Sequence, residues 1–187
     1  MRLIRGVWEV FYGGAYWLAY MLGGHFFRRG LLGSRGKRVK IAPTAFLKYP
    51  GNISIGDDSF INHHCCVWAS PDGKISMGRD VILGPNVCIT SSNHGIELGE
   101  PIRMQPGKDA PITIGDDVWI GANTVITAGV TIGDGCVVGA GSVVTRSLPA
   151  LSICAGIPAR VVRMRSADPR ERDEVPHPTG NGGLHKP

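Results

Sequence analysis

Three groups of side chains in this sequence have the types and spacing to do chemistry. His94 closes the block "ITSSNH" and opens "GIELGEPIRMQPGKDAP", residues 95–111, where the pattern found on either side is lost. Imidazole can accept a hydroxyl proton near neutral pH, so His94 reads as a general base or, more blandly, as a loop histidine that caps a turn. "HHCC" at residues 63–66 has the residue types of a metal site. Its spacing argues against one, because adjacent residues on an extended strand point to opposite faces. Two turn histidines beside two small corner-filling thiols are the preferred reading, with no metal. Thr145, Arg146, Arg160 and Arg163 could meet a phosphorylated ligand, since guanidinium forks match phosphate oxygens. Solvated surface charges are the other reading of these arginines.

The elements that must position these groups follow a six-residue rhythm. Aliphatic residues open successive blocks at Ile55, Ile61 and Val67, then at Met77, Leu83 and Ile89 after a slip. After the long break the blocks open at Ile114, Ile120, Ile126, Ile132, Val138 and Val144, and Ile41, Leu47 and Ile53 keep the same step upstream. A period of six is neither helical nor simply alternating. It fits a parallel β-helix in which each hexad is a short strand plus a turn, and about three hexads make one triangular coil. The opening aliphatic residue points into the prism, and small residues four places on fill its corners. Gly, Asp and Asn between them supply turn conformations that other residues resist. Residues 38–150 are therefore expected to form one all-β solenoid domain, and residues 95–111 must protrude from it as a loop, where a site is expected.

The run "IGDDVWIGANTVITAGVTIGDGCVVGAGSVVTRSLPALSICAGIPARVV" resembles the left-handed β-helix, hexapeptide-repeat acetyltransferases. It is most similar to the branch with maltose, galactoside, nodulation-factor and surface-polysaccharide O-acetyltransferases, over residues about 50–163. The resemblance implies acetyl-CoA as co-substrate, no metal, a saccharide acceptor, and His94 as general base. It also implies an acceptor-holding Asn at Asn62, which could otherwise be a plain turn residue. An acidic residue often follows in the family; Asp72 is the candidate, in a segment two residues longer than in the galactoside enzyme. Ser92 and backbone amides are candidate donors to a developing oxyanion. By the same resemblance Gly121, Ala122, Ala140 and Gly141 line a CoA groove, Trp119 packs beside the pantetheine, and Thr145, Arg146, Arg160 and Arg163 lie toward its anionic end. Relatives of this kind are homotrimers with sites at subunit boundaries. A γ-class carbonic anhydrase, another user of hexads, needs a second histidine five places after the first in the break; five places after His94 stands Gly99. An N-acetyltransferase of a nucleotide-linked amino sugar and a non-catalytic β-helix scaffold are the rival functions.

Composition bounds the rest. The 187 residues are 43% hydrophobic and 19% charged, which suits one globular domain with short extensions. A net charge of +5 is compatible with an anionic ligand, and no nucleic-acid motif accompanies it. Five cysteines without disulfide spacing read as reduced thiols in a cytosol. Residues 1–37 are expected as an N-terminal amphipathic helical segment. Ile4, Trp8, Phe11, Ala15, Leu18, Leu22 and Phe26 recur at helical spacing, flanked by arginines. Residues 1–30 would cap the core or a partner subunit, or touch the inner face of a membrane. Residues 151–165 are expected as a strand and short helix, with Pro158 setting the first helical turn. Residues 166–187, polar and rich in Pro and Gly, read as a disordered tail.

Overall fold

The computed structural model describes residues 31–166. The membrane-contact or capping segment expected over residues 1–30, and the tail expected after Ser166, lie outside the described residues. Among those described, no helix is long and apolar enough to cross a membrane.

The described chain winds as the expected left-handed parallel β-helix with three faces. The first face stacks Ser34–Arg35, Ile53–Ile55, Ile75–Met77, Ile112–Ile114 and Thr131–Ile132. The second stacks Lys40–Ile41, Phe60–Ile61, Ile82–Leu83, Trp119–Ile120 and Val137–Val138, and ends in Ser152–Gly156 and Ala159–Met164. The third stacks Phe46–Lys48, Cys66–Trp68, Cys88–Thr90, Val125–Ile126 and Val143–Val144. The solenoid thus begins at Ser34, inside the segment expected to be helical, because Ser34 and Arg35 pair in parallel with Ser54 and Ile55.

The hexad arithmetic explains the core. Every block-opening aliphatic residue from Ile41 to Val144 is buried, and Ile53, Leu83, Ile89, Ile120, Ile126 and Ile132 have no exposed surface. The residues four places on (Ser59, Cys65, Val81, Val87, Val118, Thr124, Val130, Cys136 and Ser142) are buried at the corners. Turn residues Asp58, Asp80 and Asp117 at one corner, and His64, Asn86 and Asn123 at the next, adopt φ of 55° to 60°. Asn, Asp and His tolerate this left-handed region best among non-glycine residues. Coils approach so closely at the second corner that a Cβ on Gly121 would lie 2.5 Å from the Ala140 amide nitrogen.

Two local expectations change. The run from Ala159 to Met164 is a strand, not a helix, antiparallel to Ser152–Gly156 with Gly156 paired to Ala159. Pro158 lies in the connecting turn, and the β-branched pair Val161–Val162 suits a strand. Of the "HHCC" run, Cys65 fills a corner, whereas Cys66 faces outward on the third face, in register with Cys88. A hydrogen bond between those thiols draws Cys88 down to about 6 and holds Cys66 up. His63 Nδ1 lies 3.0 Å from Thr44 Oγ1. Among the described residues no three His, Cys, Asp or Glu side chains converge on one point.

The insertions into the hexad fall on one edge, the corner between the third and first faces. They are Tyr49–Asn52, residues 69–74 and residues 91–111; at residues 127–130 the same corner is a plain turn. Buried hydroxyls bind the insertions to one another. Asn52 Nδ2 donates to the Ser70 carbonyl at 2.7 Å, Ser70 Oγ lies 3.0 Å from Ser91 Oγ, and Ser91 Oγ donates to the Gly73 carbonyl at 2.7 Å.

Truncating an inward aliphatic in mid-stack should be costly, because rigid neighbours cannot close the cavity. Ile120→Ala is expected to lower unfolding free energy by about 2–5 kcal/mol in urea melts. Thr113→Ala, on the exposed side of the first face, is expected to change it by less than about 0.5 kcal/mol.

Candidate active site

The long insertion is built as a hairpin. Ser92–His94 runs antiparallel to Gly107–Asp109, pairing Ser92 with Asp109 and His94 with Gly107, and the Gly95 amide donates to the Pro106 carbonyl at 3.2 Å. His94 is exposed on this hairpin, and its imidazole has no side-chain partner among the described residues. Beyond it the loop is tied by one buried side chain. Gln105 Oε1 accepts the Glu97 amide, and Gln105 Nε2 donates to the Glu97 and Glu100 carbonyls, each at 2.8 Å. A Cβ on Gly95 would lie 2.7 Å from Gln105 Oε1, so glycine is needed where the loop leaves the hairpin. Ile96, Leu98, Ile102 and Met104 project from this tether into solvent.

Asp109 fastens the hairpin to the prism. Its carboxyl is held below the usual carboxylate range, first by the Ser92 hydroxyl and then by the Ser70 hydroxyl, against a burial effect that opposes them. The Asp72 amide donates to Asp109 Oδ2 at 3.3 Å. Asp72, Ser92 and His94 therefore come together at one edge. The Ser92 hydroxyl, expected as an oxyanion donor, is engaged with the Asp109 carboxyl. Asp72 is exposed and joins the edge through its backbone.

The other singled-out residues sit elsewhere. Asn62, Gly121, Ala122, Ala140 and Gly141 stack along the corner between the second and third faces. The Asn62 carbonyl oxygen Oδ1 accepts the His63 amide at 2.8 Å, as a turn residue would. Trp119 stands outward on the second face between Ile82 and Val137, 54% exposed. Arg160 and Arg163 lie on the last strand, and Arg160 Nη1 donates to the adjacent Ala159 carbonyl at 2.8 Å. Thr145 and Arg146 are exposed where the third face turns toward the first, on the His94 edge but higher in the stack.

Known proteins share this fold. The family description "Hexapeptide repeat of succinyl-transferase" matches residues 111–146. A maltose O-acetyltransferase structure from Clostridium difficile 630 is 37% identical, with a TM-score of 0.69, covering 74% of this chain and 73% of that one. A hexapeptide-repeat acetyltransferase of Vibrio cholerae, solved with acetyl coenzyme A, is 35% identical, with a TM-score of 0.66 and 74% of each chain covered. The chain belongs to the hexapeptide-repeat acetyltransferases. The galactoside O-acetyltransferase of Escherichia coli (strain K12) is 36% identical over 68% of this chain and 62% of its own length, so the chain spans just under two thirds of that relative.

For an acetyltransferase, the separation of the two residue sets matters. One edge carries Asp72, Ser92, His94, Thr145 and Arg146; the other edge and the second face carry Asn62, Trp119, Gly121, Ala122, Ala140, Gly141, Arg160 and Arg163. A whole face lies between them, a hexad of chain spanning up to about 20 Å. Sequence reading missed Asp109 and Gln105. Asp109 becomes legible only through cross-strand pairing with Ser92, and Gln105 stands alone amid proline and charge. Gln105→Ala should release the loop. The Glu97 amide is expected to exchange with solvent about 10- to 100-fold faster by hydrogen-exchange mass spectrometry, while core amides are unchanged, as removing a buried partner costs about 1–3 kcal/mol locally.

Proposed function

We propose that this acetyltransferase moves an acetyl group from acetyl-CoA to a hydroxyl of a saccharide, with His94 as the general base. The observation that carries the reading is an exposed imidazole without a side-chain partner among the described residues, on a hairpin pinned by Asp109 to a rigid edge. A base must be free to meet its substrate and yet be held in place. The names of the relatives support the donor and the acceptor: one structure holds acetyl coenzyme A, and two relatives are named for maltose and galactoside. His94 takes the acceptor's hydroxyl proton as that oxygen attacks the thioester carbonyl. The tetrahedral intermediate then expels the CoA thiolate, leaving an acetyl ester, and the imidazolium returns the proton to sulfur.

The donor is read along the second face and its corner with the third. Gly121, Ala122, Ala140 and Gly141 present backbone to a thin pantetheine arm, Trp119 packs beside it, and Arg160 and Arg163 face its phosphates. These groups and His94 occupy separate edges of one prism, so a second copy must complete the site. A homotrimer does this with one repeated heterologous contact. Outward columns support it. The second face shows Phe60, Ile82, Trp119, Val137 and Ile153, and the third shows Phe46, Cys66, Cys88, Val125 and Val143. The first shows only hydroxyls at Ser54, Ser76, Thr113 and Thr131. Packing these mainly apolar columns of the second and third faces together leaves the hydroxyl column in water.

His94→Ala is expected to lower kcat on a sugar hydroxyl by about a hundredfold or more. CoA affinity by calorimetry should stay at the wild-type value. Near-normal turnover of a hydroxyl acceptor would remove His94 from the mechanism. For the shared site, His94→Ala chains mixed and reassembled with Ala140→Trp chains should recover part of the activity that each lacks alone. A verified mixed trimer without activity, or a monomer by light scattering, would defeat that arrangement.

A further inference from the structure

Beside the His94 hairpin the third face carries a second outward column, in which Lys48 pairs with Trp68 and Trp68 with Thr90. Trp68 is 41% exposed and takes no part in the core. The Lys48 ammonium lies 3.8 Å from the centroid of its ring, and 5.6 Å from that of exposed Tyr49. One side of the indole is therefore covered from the coil below. The opposite side looks toward the next coil, where small Thr90 leads through Ser91 into Ser92–His94. The Thr90 hydroxyl donates to the Ser92 carbonyl at 3.2 Å, which keeps that side chain turned along its own strand.

A large aromatic surface left in water costs hydration free energy, and a cation over one face holds the ring in a fixed orientation. A ring so held is ready to bind without first losing rotamer freedom. Strands are about 4.8 Å apart, and an apolar surface rests on an aromatic face at about 3.5–4.0 Å. A flat molecule resting on Trp68 thus lies level with the next coil, outside the short Thr90 side chain and toward the approach to His94. The carboxylates of Asp72 and Asp109 on the same insertion edge disfavour a polyanion there and suit a neutral polyol, whose hydroxyls can donate to them. A pyranose has the matching form, with a C–H face for the indole and hydroxyls around its rim.

We infer that Trp68 is the platform of the acceptor subsite: a pyranose ring stacks on the indole side opposite Lys48, with its reacting hydroxyl directed to His94. This rests on the saccharide reading above and adds to it the residue that selects a ring. Acyclic polyols, which lack a flat C–H face, gain little from the indole.

The test is steady-state kinetics of the full chain at saturating acetyl-CoA. The acceptor is whichever of maltose, methyl β-galactoside and N-acetylglucosamine the wild type acetylates best. Trp68→Ala is expected to raise acceptor KM about tenfold, the scale of a lost aromatic contact. Acetyl-CoA KM and the oligomeric state should be unchanged, with kcat within about twofold, since His94 is untouched. Trp68→Tyr, which keeps a flat face, should restore most of the loss; Trp68→Leu, which keeps apolar bulk without it, should not. An unchanged acceptor KM in the alanine or leucine variant, with wild-type CoA affinity, overturns the inference and leaves the saccharide reading standing. Loss of CoA affinity or of the oligomer in those variants also overturns it and marks Trp68 as an interface or donor-site residue. A wild type that binds CoA yet acetylates no pyranoside sinks both readings together.

Discussion

Backbone hydrogen bonding between successive coils is the constraint on which this molecule depends. Each short strand has few residues with which to pair, so each coil must repeat the spacing of the one below or leave amides and carbonyls orphaned inside the stack. Register in turn fixes which side chains face inward. A shift of one residue would turn Ile120 to solvent and Trp119 into the prism. Isoleucine, leucine and valine at the hexad openings, and small residues at the corners, are the side-chain answer to that backbone demand.

Within such a frame, extra length is tolerable only where it disturbs no ladder. The corner between the third and first faces is that place, and three successive coils use it with growing insertions. Because they share one edge, each insertion rests on the previous one through Asn52, Ser70, Ser91 and Asp72, so the longest is supported from beneath. This arrangement gives an imidazole on a protruding hairpin the fixed position expected of a residue in a strand. It also brings Trp68 to the same edge, since the column of Lys48, Trp68 and Thr90 ends where the insertions begin.

The architecture was legible because its determinants are local and periodic: one aliphatic position in six, with glycine, aspartate or asparagine at the turns. The protruding loop was legible as the interruption of that period, and His94 as the residue at its threshold. What could not be read depends on partners far away in sequence. The contact of Ser92 with Asp109 crosses a hairpin whose pairing no composition rule supplies. Cys66 faces outward, not into a corner, because it directly precedes the inward Val67 and neighbours on a strand point to opposite faces. Pro158 is compatible with a helix start or a hairpin turn, and pairing with Ser152–Gly156 decides between them. The division of the candidate residues between two edges was hidden for a simpler reason: residues six apart in the sequence lie on different faces.

The middle position of the hairpin has a consequence of its own. In a stack bonded only to nearest neighbours, thermal opening begins at the ends and works inward, so terminal coils fray long before central ones. The strand Cys88–Thr90, from which the hairpin springs, is third of the five on its face, with two coils on either side. Each neighbour acts as a sacrificial layer. The hairpin edge stays assembled while the outer windings breathe, and local opening at either end of the described stack is insulated from it.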